Sequence, residues 1–301
     1  LFEVLPPALE RMGSWQQLIA VLEGMSRQGD LLQTNKVLRK LAEVYEKNLA
    51  QQELAFTTWG RLLLLDPNDE EVRLQLERLA AATQSWEMLV DLYTQALEKC
   101  EQPSMKLILH RRLAGLFADR LGDEERARVH LEQVIALDAS DTVALQKLEK
   151  AYRRMSRYDK LLEVLKHRAR LATGSEQNLL WREIAELYLK LGDRKGATDA
   201  LREALAVTND DLESLQKLEK LCQEQGRYQD LAEVLAKQIE VYKSRGDRVE
   251  LQQSRLRLAI LLEQEFRAPD KAGELFRQIL ADDPAHQETL KYLETAMAEG
   301  R

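Results

Sequence analysis

Apolar residues recur along the whole chain at helical spacing. Leu145, Leu148 and Tyr152 form one stripe and Leu161, Leu162 and Leu165 the next, with a break near Ser156. Each stripe predicts an amphipathic helix with one buried face, and two stripes parted by a short break predict a helical hairpin. No run alternates with period two, so strands are not expected. About seventeen helices averaging about eighteen residues follow from this pattern. The breaks have their own chemistry. Gly-Asp stands at 29–30, 122–123, 192–193 and 246–247, where glycine can end a helix in the left-handed conformation and aspartate can cap the next one. Pro67, Pro103, Pro269 and Pro284 also fall between stripes, where a missing backbone donor costs little.

The stripes belong to a repeat. LQKLEK occupies 145–150 and again 215–220. AYRRMSRYDKLLEVL follows the first copy and LCQEQGRYQDLAEVL the second, and Trp15, Trp86, Tyr158 and Tyr228 hold one place in four successive copies. Between these lies a second recurring unit, seen in LAEVYEKNLAQQELAFTTWGRLLLLDPND, LAGLFADRLGDEERARVHLEQVIALDASD, IAELYLKLGDRKGATDALREALAVTNDD and LAILLEQEFRAPDKAGELFRQILADDP. Two kinds of hairpin therefore alternate. Self-similarity at this period is the mark of a stacked repeat architecture.

Leu41, Ala42, Tyr45, Ala55, Trp59 and Pro67 make the unit resemble a tetratricopeptide repeat. The pattern returns as Leu113, Ala114, Phe117, Ala127 and Leu131, as Trp181, Ile184, Ala185, Tyr188 and Ala197, and as Leu258, Ala259, Ala272, Phe276 and Pro284. The alternating units depart from it. Glu77, Glu149, Glu219 and Glu294 replace the first small residue, and Leu89, Leu161 and Leu231 replace the alanine, so these hairpins are expected to splay more widely. The resemblance implies an all-α fold, a right-handed α-solenoid, as a single array over 1–301 of about eight units. Unit pairs fall near 1–68, 69–140, 141–209 and 210–284, followed by a single helix over 285–301. Both ends enter a unit partway, so the chain reads as a slice of a longer array in which the Leu290, Leu293 and Met297 stripe is left partly uncovered.

Composition narrows the function. The chain is 45% apolar and 32% charged, with net charge −7 and pI near 5.4, which disfavours bulk binding to phosphate backbones. No stretch is apolar enough for a membrane span, and LFEVLPPALERMG has neither a basic leader nor a cleavage site. Cys100 and Cys222 lie far apart without a CxxC, which fits a reducing, cytoplasmic setting. His110, His130, His167 and His286 are scattered and read as solvent-facing, with no metal site expected. Phosphate-cradling and nucleophile motifs are missing, so neither catalysis nor a cofactor is expected. Most aromatics, among them Trp15, Trp86, Tyr158 and Tyr228, read as core.

In the tetratricopeptide family the first helix of each hairpin lines a groove for peptides or folded partners, and the resemblance implies the same here. At the family's inward-facing places this chain carries more basic than acidic side chains, and the excess lies in the first four such helices. Lys36, Arg39, Lys40, Arg111, Arg112, Lys147, Lys150, Arg153 and Arg154 are its core. The expected function is a protein-interaction scaffold, within a longer chain or multiprotein assembly, whose groove binds an acidic segment or face. The alternatives are a regulatory or sensor region of a larger enzyme or transcription factor, and nucleic-acid binding through the basic groove. The family's chaperone-tail clamp is disfavoured, because its asparagine places hold Glu43, Arg78, Gly115, Lys150, Glu186, Lys220 and Ile260. The two LQKLEK copies diverge just afterwards, into Arg153 and Arg154 against Gln223 and Glu224, which marks the first copy as the place to look for the partner.

Overall fold

A computed structural model describes residues 5–298, which contain seventeen helices and no strand. The chain forms two compact units that divide between Met155 and Ser156. The first holds α1 (Leu5–Arg11), α2 (Trp15–Gln28), α3 (Leu31–Glu43), α4 (Gln52–Leu65), α5 (Glu70–Thr83), α6 (Trp86–Lys99), α7 (Pro103–Gly115), α8 (Glu124–Leu137) and α9 (Thr142–Arg154). The second holds α10 (Tyr158–Leu171), α11 (Gly174–Lys190), α12 (Arg194–Val207), α13 (Leu212–Glu224), α14 (Tyr228–Arg245), α15 (Arg248–Gln264), α16 (Pro269–Asp282) and α17 (Gln287–Ala298). Most helices run to 13 or 14 residues, shorter than the stripes imply, because turns and caps take the remainder. Among the described residues, no helix is long and apolar enough to cross a membrane.

Each unit is an α-solenoid stretch in which helical hairpins stack on their neighbours. The leucine stripes form the interior: Leu145 and Leu148 of the first LQKLEK and Leu215 and Leu218 of the second are all buried. In the first unit one core runs from Leu9 to Ala127 through Phe56, Trp59 and the fully enclosed Tyr93. The hairpin α5–α6 meets over a shorter stretch than α3–α4 or α11–α12, in line with the wider splay expected where Glu77 and Leu89 replace small residues.

The turns explain how the helices stop. Gly13, Ala50, Gln84, Gly122, Ser156, Gly192, Gly226 and Arg267 all sit at φ between 50° and 78°, one at each hairpin turn. Of the Gly-Asp pairs, Gly122, Gly192 and Gly246 are left-handed, and Asp123 and Asp193 accept the amides of Arg126 and Gly196 at 2.9 and 2.8 Å. Two pairs differ from expectation. Gly29 is extended at φ −80°, although Asp30 still caps Gln33, and Asp247 makes no side-chain cap. In the first unit α3 and α7 each end in a π-helical turn, Val44–Asn48 and Leu116–Leu121. From Leu41 to Ala50 and from Leu113 to Gly122 there is one residue more than from Ile184 to Gly192. The π turn absorbs it without displacing the buried face.

Several aromatic and histidine expectations change. Tyr158 and Tyr228 are exposed at the first turns of α10 and α14, and Trp15 and Trp86 are only half-buried. The guanidinium of Arg120 lies 4.8 Å from the Trp86 ring centroid, a cation–π contact suited to a helix start. Phe56 and Tyr242, outside the recurring places, are buried instead. No histidine is solvent-facing: all four are partly buried, and His286 caps α17 by accepting the Thr289 amide at 3.3 Å. Leu290 and Met297 of α17 are exposed and Leu293 is half-buried, as the uncovered stripe predicts.

Candidate partner-binding site

The cations expected to line the groove lie on α3, α7 and α9, and the structure shows what most of them do. Arg39 bonds to Asp69 and, at 2.6 Å, to Glu71, so it grips the cap and first turn of α5. Arg111 holds Asp141, the cap of α9, at 2.7 Å and Asp138, just past the end of α8, at 3.1 Å. Arg182 holds the corresponding place in the second unit, bonding Glu213 beside the Asp211 cap. One nitrogen of Arg112 reaches both oxygens of Glu77 at 2.9 Å, and the Tyr93 hydroxyl donates to the same carboxylate at 2.9 Å. Burial and then the Glu77 charge push the Tyr93 hydroxyl's pKa well up, so it stays a neutral donor. Lys40 pairs with Glu10 at 2.6 Å, Arg153 with Glu149 at 3.0 Å and Arg154 with Glu124. Such part-exposed pairs contribute about 0.2–1 kcal/mol each, and several of them link one hairpin to the next.

Lys36, Lys147 and Lys150 are different. All three are exposed, and none has an ion-pair partner among the described residues. Lys147 and Lys150 stand one turn apart on α9, at the rim of a cavity of about 220 Å³ floored by Ala118, Ala127, Leu131 and Ala151. They offer two ammonium groups beside apolar side chains, in a cavity that Asp119, Glu124, Arg128 and Arg154 also line. The same α8–α9 region holds Arg128, which bonds Glu132 at 2.5 Å, and Tyr152, which donates to Glu132. Burial first, then Glu132, pushes the Tyr152 pKa up to about 12.

The divergence after LQKLEK has an internal explanation. Arg154 pairs with Glu124 at the start of α8, whereas Glu224, at the same place in the second copy, pairs with Arg194 at the start of α12 at 3.3 Å. The pair is kept and its charges are exchanged. This difference between the copies does not by itself single out the first one. Nothing in one copy's sequence could reveal it, since the compensating residue lies 30 positions upstream.

His110 on α7 and His130 on α8 meet through their Nδ1 atoms at 2.9 Å, and Phe117 stacks on His130 with centroids 5.4 Å apart. The two imidazole centroids are 5.2 Å apart, about the separation of rings meeting head-on through those nitrogens. Their lone pairs therefore face each other across one shared proton and do not converge on a common point as metal ligands would. Burial lowers both pKa values, Lys106 adds to the effect at His110, and His130 is pushed down to about 4. Among the described residues no group of three or more histidine, cysteine, aspartate or glutamate side chains is placed to hold a metal ion. Both cysteines are free, and burial raises the Cys222 thiol.

Hairpins that repeat one turn conformation, stacked through buried leucine stripes and joined by ion pairs between successive first helices, define a helical-repeat solenoid protein. Residues 214–249 match the family model of the tetratricopeptide repeat. Over those residues the chain carries a tetratricopeptide repeat. The match covers α13–α14, a hairpin of the kind in which Glu219 and Leu231 depart from the small-residue pattern, so those two exchanges leave the unit recognisable. No curated protein matches the chain. Among solved structures it is similar to MamA, with 18% identity over 59% of this chain and 92% of that one at a TM-score of 0.33. It is also similar to YrrB, described as a TPR protein with an unusual peptide-binding site, with 17% identity over 67% and 97% at a TM-score of 0.33. A third is Naa15/Naa10 bound to HypK-THB, with 15% identity over 88% of this chain and 39% of that one at a TM-score of 0.44.

Proposed function

We propose that the chain is a protein-interaction scaffold whose first helices hold a peptide segment or the face of a folded partner, and that the α3–α9 half takes an acidic one. The observation that carries this reading is the set of exposed lysines, Lys36, Lys147 and Lys150, that have no internal carboxylate. An unpaired lysine gains a partner's carboxylate without losing one. Arg39, Lys40, Arg111, Arg112, Arg153 and Arg154 contribute only by exchanging an existing pair, so their share of affinity is smaller. The chain's net charge of −7 repels an acidic partner at long range, but screening over about 8 Å at physiological ionic strength leaves local charges decisive.

The test is a side-by-side capture from native lysate by the wild-type chain, by Lys147→Glu with Lys150→Glu, and by Arg153→Glu with Arg154→Glu. The lysine pair is expected to weaken capture of acidic proteins and to reduce its salt dependence, with the arginine pair weaker in effect. Unchanged capture by the lysine variant would sink the reading. A shift of duplex DNA or RNA at low salt would replace it with nucleic-acid binding.

A further inference from the structure

We propose that a polar cavity in the second unit, between α13, α14 and α15, receives a side-chain carboxylate of an acidic protein segment. The proposal rests on the scaffold reading above, but it places a contact in the half where the basic excess does not lie. The cavity has a volume of about 330 Å³ and is open to solvent. Its floor is a satisfied buried network. Glu219 Oε2 accepts from Gln238 Nε2 at 2.8 Å, and Gln238 Oε1 accepts from the Ser254 hydroxyl at 3.2 Å. Glu219 Oε1 accepts from Arg257 Nη1 at 2.5 Å. Both oxygens of Glu219 are thus engaged, while Arg257, half-exposed, keeps four of its five N–H donors (about five per guanidinium) without a partner among the described residues.

Lys220 lines the same cavity, is exposed, and has no ion pair among the described residues. Its counterpart in α5 shows why. Arg78 holds the same place there and is neutralised by Glu46, at 2.6 Å, the residue that follows Tyr45. The residue following Tyr188 in the second unit is Leu189, so Lys220 has lost the carboxylate that its counterpart keeps. Glu219, Lys220 and Arg257 together leave one positive charge, in a cavity already rich in donors. A carboxylate supplies one negative charge and matches the planar guanidinium fork. A phosphate dianion would bring a second charge beside Glu219, and a cation would face Lys220 and Arg257. Because the network below Arg257 is already bonded, the fork is held in place before any ligand arrives.

The experiment is calorimetric titration of the whole chain with a peptide of alternating Glu and Ala, blocked at both ends so that only side chains are anionic. The Gln/Ala and phosphoserine/Ala peptides serve as comparisons. In a background of Lys147→Gln with Lys150→Gln, which removes the first-unit lysines, the Glu peptide is expected still to bind and the Gln peptide to bind at least tenfold more weakly. Adding Lys220→Gln, an exposed change that leaves the helices intact by circular dichroism, is expected to weaken binding about tenfold. Binding that vanishes in the Lys147/Lys150 background but survives Lys220→Gln alone overturns this proposal and leaves the first-unit reading standing. An unaltered affinity on adding Lys220→Gln also overturns it. Tighter binding of the phosphoserine peptide overturns the carboxylate assignment, and no binding to the wild-type chain overturns both readings.

Discussion

At Ala50, Gln84, Ser156 and Arg267 a side chain occupies the left-handed backbone region that Gly122, Gly192 and Gly226 fill at the other turns. For an L-residue that conformation costs roughly 1–2 kcal/mol, partly offset because glycine gains more freedom on unfolding. Ala50→Gly is therefore expected to raise stability by about 0.5–1 kcal/mol in urea denaturation. Gln84→Gly should gain less, since Gln84 also donates to the Ala81 carbonyl at 3.0 Å. No gain at Ala50 would mean that the turn is relaxed by other means. The His110–His130 contact yields a second prediction at this scale. Both folded pKa values lie below the ordinary histidine value of about 6.5. The unfolded chain then binds more protons between about 6.5 and about 4, so this contribution is complete above the upper limit and is lost as pH falls toward the lower. Carboxylates titrate in the same range. The checkable quantity is the difference in melting temperature between the wild type and His130→Ala across pH 4–7: the wild type's advantage should shrink as pH falls, and a constant difference would contradict the head-on pair.

Between elements, the exchange of Glu124–Arg154 for Arg194–Glu224 predicts a measurable coupling. Arg154→Glu alone should destabilise slightly, and Glu124→Arg with Arg154→Glu should restore stability, with a coupling of about 0.2–1 kcal/mol in a double-mutant cycle. Additivity would mean the pair has no energetic content. The same swap shows where sequence reading stops. The helices, their alternation and the interior leucines were legible, because apolar period and repeat period are local signals. The π turns after α3 and α7 were not, because one extra residue can be taken up inside a helix or in a longer turn with the same letters. The cations of the first helices were legible too. Their engagement was not, because Arg39, Arg111 and Arg112 find carboxylates 27 to 35 positions away, beyond their own helices. Lys36, Lys147 and Lys150 could be told from the arginines only after those pairs were placed. The two histidines, twenty residues apart on facing helices, carried no spacing signal at all.

For the whole molecule, what matters is that each hairpin contacts little beyond its neighbours. Stability in such a chain is close to a sum of hairpin terms and nearest-neighbour terms, so damage should stay near where it is made. Leu62, fully buried in α4, lies in the first unit's core. Leu62→Ala removes three buried carbons and should cost about 2–5 kcal/mol locally. In hydrogen exchange the variant should lose protection in α3 through α6, whereas α13 through α16 should exchange at wild-type rates. The same variant should then retain whatever binding Lys220 and Arg257 support, while weakening binding that depends on Lys36. A uniform loss of protection across both units would show instead that the chain unfolds as one cooperative body, in which case no effect of a substitution in one unit could be read as local without first correcting for global unfolding.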